Sequence, residues 1–471
     1  MRLVIKFGGV PVKDGESILH DAKSVVSRHK KGDEVVVVTS AMAGVTDMLL
    51  DISHRLVEPR ANADRLISEF MREISDKHFQ ACRDAIENPE ALPNATRTVR
   101  DTLDSLERAL MGISYLGELS PRSQDLISSF GERLSASILA GSIESLGVPS
   151  VPMSGFEAGL VTDDHFTEAR PLFDKIQKLV PQRLKKVTSA KKIPVVTGFI
   201  GGTRDGIITT LGRGGSDYTA SILGAALGVD EIWIVTDVDG IMTADPKVEP
   251  NSKLIEVISY LEATELAYFG AKVLHPKMIK PAMDSNIPVR VRNAFKPEHM
   301  GTLIVQKPNH IEGIVKAITA SKNVSLITVG GAEMIGVPGV AATVFDILAR
   351  ASVKVLMISQ SSSQVNISFI VDRKDVDVAL KSLRDEFVRL HVDWDVSCER
   401  NVSVIAAVGA GMKGTPGVAA RVFSAMGGNG INVLTIAQGS SELNISFAVD
   451  EKDAVRAVRA LHSEFQLDKV G

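Results

Sequence analysis

Cysteine is nearly absent from this 471-residue sequence: Cys82 and Cys398 are the only two, roughly 300 residues apart and outside any CxxC or Cys/His cluster. That spacing argues against a disulfide framework and a zinc site, and both residues read as small apolar fillers in a reducing compartment. A basic excess is missing too. With 53 Lys+Arg against 57 Asp+Glu, a formal charge of −4, no global field is available to neutralise the phosphates of a nucleic acid or a lipid surface. Long apolar runs are also lacking: Val35–Val38 and Ile193–Val196 stop well short of the ~18 residues that cross a bilayer. Met1 runs directly into the strand-like LVIKF, with no basic stretch followed by an apolar one, so no export signal is expected and the cytoplasm is the expected location. What is present is the ordinary balance of a globular protein, 44% apolar and 23% charged residues. Its length suits about three domains at roughly 150 residues each.

From residue 1 to about 305, short β-branched runs alternate with longer amphipathic segments. Leu3–Phe7, Val35–Thr39, Pro194–Gly198, Glu231–Thr236 and Pro288–Val291 each read as buried strands, which implies a mostly parallel sheet with helices on its faces. Between roughly 54 and 115 the pattern changes. Ile67, Phe70, Met71 and Ile74, then Val99, Leu103, Leu106 and Leu110, recur at helical spacing with no strand between them, so a helical insertion is expected on the α/β core.

The last third is an internal duplication. Sliding the chain by 78 residues places Gly331–Asp375 on Gly409–Asp453 with 25 of 45 positions identical and no gap. VPGVAATVF (337–345) matches TPGVAARVF (415–423), and SSQVNISFIVD (362–372) matches SSELNISFAVD (440–450). Each copy reads strand, Pro-Gly turn, helix, strand, hairpin, strand, helix. Val392–Cys398 is the strand that completes copy one. Its equivalent at the same offset, Ile314–Ala320, lies ahead of copy one, so copy two is expected to borrow it rather than leave an edge unpaired. The expected units are 1–305, with the insertion at about 54–115, then 324–398, and 402–471 together with the strand 313–320.

Several motifs fall at strand ends. KFGG, Lys6–Gly9, puts two glycines beside a lysine, a turn in which bare backbone N–H groups and a full positive charge suit a phosphate. GRGGSDY, Gly212–Tyr218, adds the planar fork of Arg213 and a helix start that Ser216 or Asp217 is placed to cap. TDVDGIMTADPK, Thr236–Lys247, follows an apolar strand where open α/β sheets place ligands, although Asp-Gly and Asp-Pro are also ordinary turn formers. Lys272 in FGAKVLHP, Glu132 in FGERLS, and Ser40 and Thr46 in SAMAGVTD complete the polar set. Gly409, Gly411 and Gly414 spell the form of a dinucleotide fingerprint. However, Glu333 stands at the position of Gly411 in the other copy, and no acidic residue ends the following strand. Nicotinamide binding is therefore dismissed.

KFGG, SAxxGVT, FGERLS, GRGGSDY, TDVDGI and AYFGAKVLHP stand here in an order and spacing that resembles the aspartate kinases, and the repeat resembles their paired ACT regulatory domains. The resemblance implies an amino-acid kinase fold followed by two intertwined ferredoxin-like (βαββαβ) ACT domains. It implies transfer of the γ-phosphoryl of ATP, with Mg²⁺, to the β-carboxylate of L-aspartate. By the same resemblance Lys6 stabilises the transferring phosphoryl, with Gly8 and Gly9 at its oxygens, and Asp217 orients the lysine. Ser40, Thr46, Glu132, Arg213 and Ser216 hold aspartate, Arg213 through a carboxylate and Glu132 through the ammonium. Thr236, Asp237, Asp245 and Lys272 fall at the nucleotide side. These roles suit phosphoryl transfer, which asks for positioning and charge neutralisation rather than a covalent nucleophile.

The first ACT copy, near Gly339, Val340, Gln360 and Asn366, is the expected sensor of threonine or lysine, and a homodimer or homotetramer paired through these domains is expected. The chain departs from the family pattern at Val10 and Pro11, which replace two hydroxyl residues, at Met242 in place of a tyrosine, and at Lys247 in place of an arginine. These changes bear on catalytic efficiency rather than fold. The chain is expected to carry no fused dehydrogenase. The competing readings are another amino-acid kinase, acting on acetylglutamate or a nucleoside monophosphate, and a catalytically impaired amino-acid sensor.

Overall fold

The apolar runs become strands whose side chains are covered on both faces. β1 (Arg2–Phe7) and β2 (Glu34–Thr39) are each buried except at their first residue, as expected of a parallel sheet sandwiched between helices. The computed structural model describes residues 1–471 except 59–61, 271–273, 275, 309–312 and 470–471. It divides into two compact units: Met1–Ile241, Glu256–Tyr260 and Val273–Lys307 form one, and Met242–Ile255, Leu261–Lys272 and Pro308–Gly471 form the other. Among the described residues, no helix is long and apolar enough to cross a membrane.

The first unit holds β1, β2, β3 (Ser150–Met153), β4 (Ile193–Thr197), β5 (Ile200–Gly202), β6 (Ile208–Thr210), β7 (Glu231–Thr236), β8 (Val257–Ser259), β9 (Val289–Asn293) and β10 (Thr302–Val305). Eight of these form one sheet in the order β3-β4-β2-β1-β7-β9-β10-β8, and β5 and β6 make a separate hairpin. Every pairing in the large sheet is parallel except β9 with β10. The order reverses between β1 and β7, a switch point at which loops diverge and leave a crevice beyond the strand ends. The expected insertion is helical: Ala63–Ala85 buries Ile67, Phe70 and Ile74, and Leu92–Leu116 buries Val99, Leu103, Leu106 and Leu110. An apolar stripe of that width against a common core is what stabilises long helices in water.

The second unit contains one antiparallel sheet in the order β12-β13-β11-β14-β16-β15. Its strands are β11 (Ala317–Gly330), β12 (Val355–Gln360), β13 (Asn366–Asp372), β14 (Asp395–Val408), β15 (Thr435–Ala437) and β16 (Asn444–Asp450). The two copies are intertwined. The first half of β11 (Ala317–Ser321) pairs with Val404–Val408, and its second half, after a register shift near Asn323, pairs with β13 and with Asp395–Glu399. Each 14-residue strand therefore serves both copies. Of the expected segments Ile314–Ala320 and Val392–Cys398, Ala317–Ala320 and Asp395–Cys398 are the first residues of two continuous strands. Each copy closes its core with an edge-to-face aromatic pair at the repeat offset, Phe345–Phe369 at 6.0 Å and Phe423–Phe447 at 5.7 Å.

In this unit the 242–255 segment is tied to the helix Ala454–Glu464 by Thr243 Oγ1 to His462 Nε2 at 3.0 Å and by Arg459 Nε donating to Val248 O at 2.9 Å. The dismissed fingerprint also has a packing explanation. A Cβ at Gly411 would lie 2.3 Å from the carbonyl oxygen of Gly313, so the missing side chain admits a neighbouring backbone rather than a pyrophosphate.

Candidate functional site

β1 delivers Lys6 to the carboxyl edge of the sheet. Its flanking registers, Phe7 opposite Thr39 on β2 and Val235 on β7, set Gly8, Ser40 and Thr236 side by side just beyond the strand ends. Gly8 N donates to Val235 O at 3.0 Å, and the turn that follows closes through Val12 N to Gly8 O and Lys13 N to Val10 O, both at 3.2 Å. The N–H that Pro11 lacks is therefore not one this turn uses.

Gly212 and Gly214 both adopt φ +74°, a left-handed conformation that costs glycine little and strains other residues. The pair bends the chain from β6 into the helix Gly215–Leu227. Gly214 takes the N-cap position and no side chain caps the helix, so the capping alternative for Ser216 and Asp217 is not realised. Asp217, in the first turn, instead meets Lys6: Nζ to Oδ1 is 2.5 Å.

One cleft of about 460 Å³ takes in Lys6, Ser40, Thr46, Glu132, Arg213, Ser216 and Asp217. Four motifs far apart in sequence thus converge on one cavity. Its charges are separated by type. Lys6 is buried against Asp217, whereas Arg213 is exposed and, among the described residues, forms no ion pair. Glu132 is 4% exposed and its Oε2 has no hydrogen-bond partner. Burial pushes its carboxyl up to about 8, against the backbone N–H groups of Glu132 and Ala41 and the positive charge of Lys6. The N-terminus of the helix Gly215–Leu227 adds the partial positive charge of its free N–H groups. A cavity with a buried carboxyl that an arriving ammonium can ionise, two cations and a helix N-terminus suits a small zwitterion with an extra anionic group.

The remaining candidates lie elsewhere. Gly8 is beside the cleft, where a Cβ would stand 3.5 Å from Lys6 Nζ, and Gly9 abuts Ala41 O. Thr236 Oγ1 donates to Asp237 Oδ1 at 3.1 Å at the end of β7. Asp245 belongs to the second unit, where its Oδ1 accepts Lys247 N at 2.9 Å and its carbonyl accepts Val248 N and Glu249 N, the bonding of a turn former. Lys272 lies outside the described residues. In the first repeat, Gly339 has φ +88° and precedes the helix Val340–Arg350, and Gln360 and Asn366 are exposed at the facing ends of β12 and β13. The equivalent of Asn366 in the second repeat, Asn444, spends its amide on Glu265.

Sequence reasoning missed part of the cleft wall: Gln124, Asp125, Ser128, Thr167, Phe199 and Thr210 also line it. Asp125 is 1% exposed, and burial raises its carboxyl above the ordinary range against hydrogen bonds from Thr210 and Thr167. The spacing of Gln124, Asp125 and Ser128 on one face of the helix Pro121–Ser128, immediately before FGERLS, was the available signal.

The Amino acid kinase family model matches residues 1–293, and the ACT domain model matches 327–387 and 405–465. Aspartokinase 3, chloroplastic, of Arabidopsis thaliana is 34% identical over 474 residues, 98% of this chain and 81% of that protein. Bifunctional aspartokinase/homoserine dehydrogenase 2, chloroplastic, of Zea mays is 35% identical over 475 residues, 99% of this chain and 51% of its own, so the chain spans about half the length of such bifunctional relatives. The crystal structure of E. coli aspartokinase III with aspartate and ADP superposes with a TM-score of 0.83 at 30% identity, covering 99% of this chain and all of that one. Its lysine and aspartate complex gives 0.79 at 31%, covering 98% and 99%. Fold, repeat and converging motifs agree with these relationships, and the chain belongs to the aspartokinase family, an amino acid kinase domain joined to two ACT domains.

Proposed function

We propose that the protein is an aspartate kinase, transferring the γ-phosphoryl group of MgATP to the β-carboxylate of L-aspartate to give 4-phospho-L-aspartate. This is the first step toward lysine, threonine and methionine. The observation that carries the reading is the cleft shared by the Lys6–Asp217 pair and the buried Glu132, whose Oε2 has no hydrogen-bond partner. Glu132 takes the α-ammonium of the substrate, and Arg213, aided by Ser40, Thr46 and Ser216, takes carboxylate. The β-carboxylate is already a nucleophile and needs no general base. Lys6, held by Asp217, neutralises charge building on the phosphoryl oxygens, the main demand of this chemistry. Gly8 and Gly9 present backbone to the phosphates, and Thr236 and Asp237 take the nucleotide. Mg²⁺ enters as part of the MgATP substrate.

The cleft does not itself name the regulator. Threonine or lysine is the proposed effector, at the first repeat near Gly339, Val340, Gln360 and Asn366. The support is twofold: lysine is bound in the E. coli relative, and Asn366 is exposed where Asn444 is engaged by Glu265. Titration calorimetry with each amino acid separates the two. A homo-oligomer paired through the ACT domains and a cytoplasmic location belong to the same reading, the latter supported by two free cysteines. Incubation with MgATP, L-aspartate and hydroxylamine is expected to yield aspartyl hydroxamate. No hydroxamate, or hydroxamate only from a different acceptor, would overturn the assignment.

A further inference from the structure

Part of the cleft wall is assembled around one side chain that no motif singled out. Asp125 Oδ1 and Oδ2 both accept Thr167 N at 3.0 Å, Oδ2 accepts Thr210 N at 3.0 Å, and Oδ1 accepts Thr210 Oγ1 at 2.6 Å. Its two partners belong to different segments. Thr167 sits in the 163–170 loop with φ +72°, a strained conformation for a β-branched residue, and Thr210 ends β6, three residues before Arg213. The segments are also joined directly, Ala169 N donating to Thr210 O at 2.9 Å. Both oxygens of Asp125 are occupied, so the residue has little left to offer a ligand and acts through what it holds.

We propose that Asp125 is a positioning residue for the acceptor substrate: by clamping Thr167 and Thr210 it fixes the loop from which Arg213 reaches the substrate carboxylate. This rests on the aspartate reading of the cleft. Three donors from two chain segments converge on its carboxyl, which points to hydrogen-bond geometry as its contribution. Asp125→Ala leaves the buried Thr210 N–H and the half-buried Thr167 N–H without an acceptor and frees the loop. Asp125→Asn keeps an oxygen for Thr167 N and Thr210 N and turns its amide toward Thr210 Oγ1.

The test is steady-state kinetics of the full-length protein by hydroxamate trapping, with aspartate and ATP varied separately. Asp125→Ala is expected to raise the KM for aspartate about tenfold or more while the KM for ATP stays within about twofold, and Asp125→Asn to restore aspartate KM to within about threefold of the unsubstituted protein. A merely structural role lowers the active fraction and leaves both KM values in place. If Asp125→Ala does not fold, Thr210→Val decides, raising aspartate KM about threefold where Thr210→Ser does not. A folded Asp125→Ala, or failing that Thr210→Val, with unchanged aspartate KM would overturn the inference. Asp125→Asn as impaired as Asp125→Ala would replace positioning by a charge role and overturn it equally. Absence of hydroxamate from the unsubstituted protein would instead overturn the acceptor reading, and this inference with it.

Discussion

Lys6 on the first strand and Asp217 in the first turn of a helix more than 200 residues later meet at 2.5 Å, and both side chains are largely shielded from water. The contact fixes the lysine at the cleft wall, and it ties the sheet to the GRGG turn. Replacing either residue removes one preorganised charge contact. Lys6→Ala and Asp217→Ala are each expected to reduce turnover at least ~100-fold. The double variant is expected to lose little more than either single one, because the two act as a unit. Hydroxamate formation measures this, and near-normal turnover in both single variants would sink the site assignment.

Glu132 predicts a proton balance. Its carboxyl is raised from 4.5 to about 8 by burial, so the folded state binds its proton more tightly than the unfolded state does. The stability this proton contributes is complete below the ordinary value and is lost as pH rises through about 8, a span worth roughly 5 kcal/mol. Glu132→Gln removes the titration. Its denaturant stability relative to the unsubstituted protein is therefore expected to improve steadily between pH 5 and pH 9. An arriving ammonium favours the charged carboxylate, so aspartate binding at pH 7 is expected to release about one proton through Glu132. Calorimetry in buffers of different ionisation enthalpy reads that proton, and a buffer-independent enthalpy counts against the pairing.

His78 sets an acid limit in the helical insertion. It is fully buried, its Nδ1 donates to Ile74 O at 2.7 Å, and Nε2 has no partner. Burial lowers it from 6.5 to about 4. A depressed histidine contributes stability that is present above the ordinary value and is lost as pH falls through about 4, here roughly 3 kcal/mol. Urea unfolding of His78→Leu is expected to fall less steeply between pH 7 and pH 4 than that of the unsubstituted protein. Parallel slopes would show that the histidine charges without cost.

The exchanged strands predict which fragments fold. A piece comprising 402–471 leaves Val402–Val408 with one open edge where Ala317–Ser321 belongs, and an unpaired edge invites aggregation. It is expected to be unfolded or aggregated by circular dichroism and gel filtration, whereas 313–471 folds with a single cooperative transition. In that longer piece Phe369→Ala and Phe447→Ala are each expected to cost about 3–5 kcal/mol and to shift the same transition. Two separable transitions would mean that the copies are independent.

Much of this was legible where side-chain pattern and structure coincide. β1, β2, β4, β7 and β9 announce themselves as β-branched runs because parallel strands are covered on both faces. β3, β5, β6, β8 and β10 are three or four residues long; one contains Pro152 and another two glycines, and they exist because neighbours supply hydrogen bonds. KFGG, SAMAGVTD, FGERLS and GRGGSDY each carried their cleft residues openly. Asp125 showed only its spacing with Gln124 and Ser128, because the donors it accepts are backbone groups 42 and 85 residues away, and a backbone N–H leaves no mark in the sequence. TDVDGIMTADPK looked like one cluster, yet the boundary between the two compact units falls inside it, after Ile241.

The 14-residue strands β11 and β14 have a consequence for heredity as well as for shape. Once a duplicated unit had traded strands in this way, neither copy could be deleted without opening the sheet of the other. Substitutions were then free to give the two copies different contacts, as the exposed Asn366 and the engaged Asn444 illustrate, but not to part them. The pair became a single inheritable object.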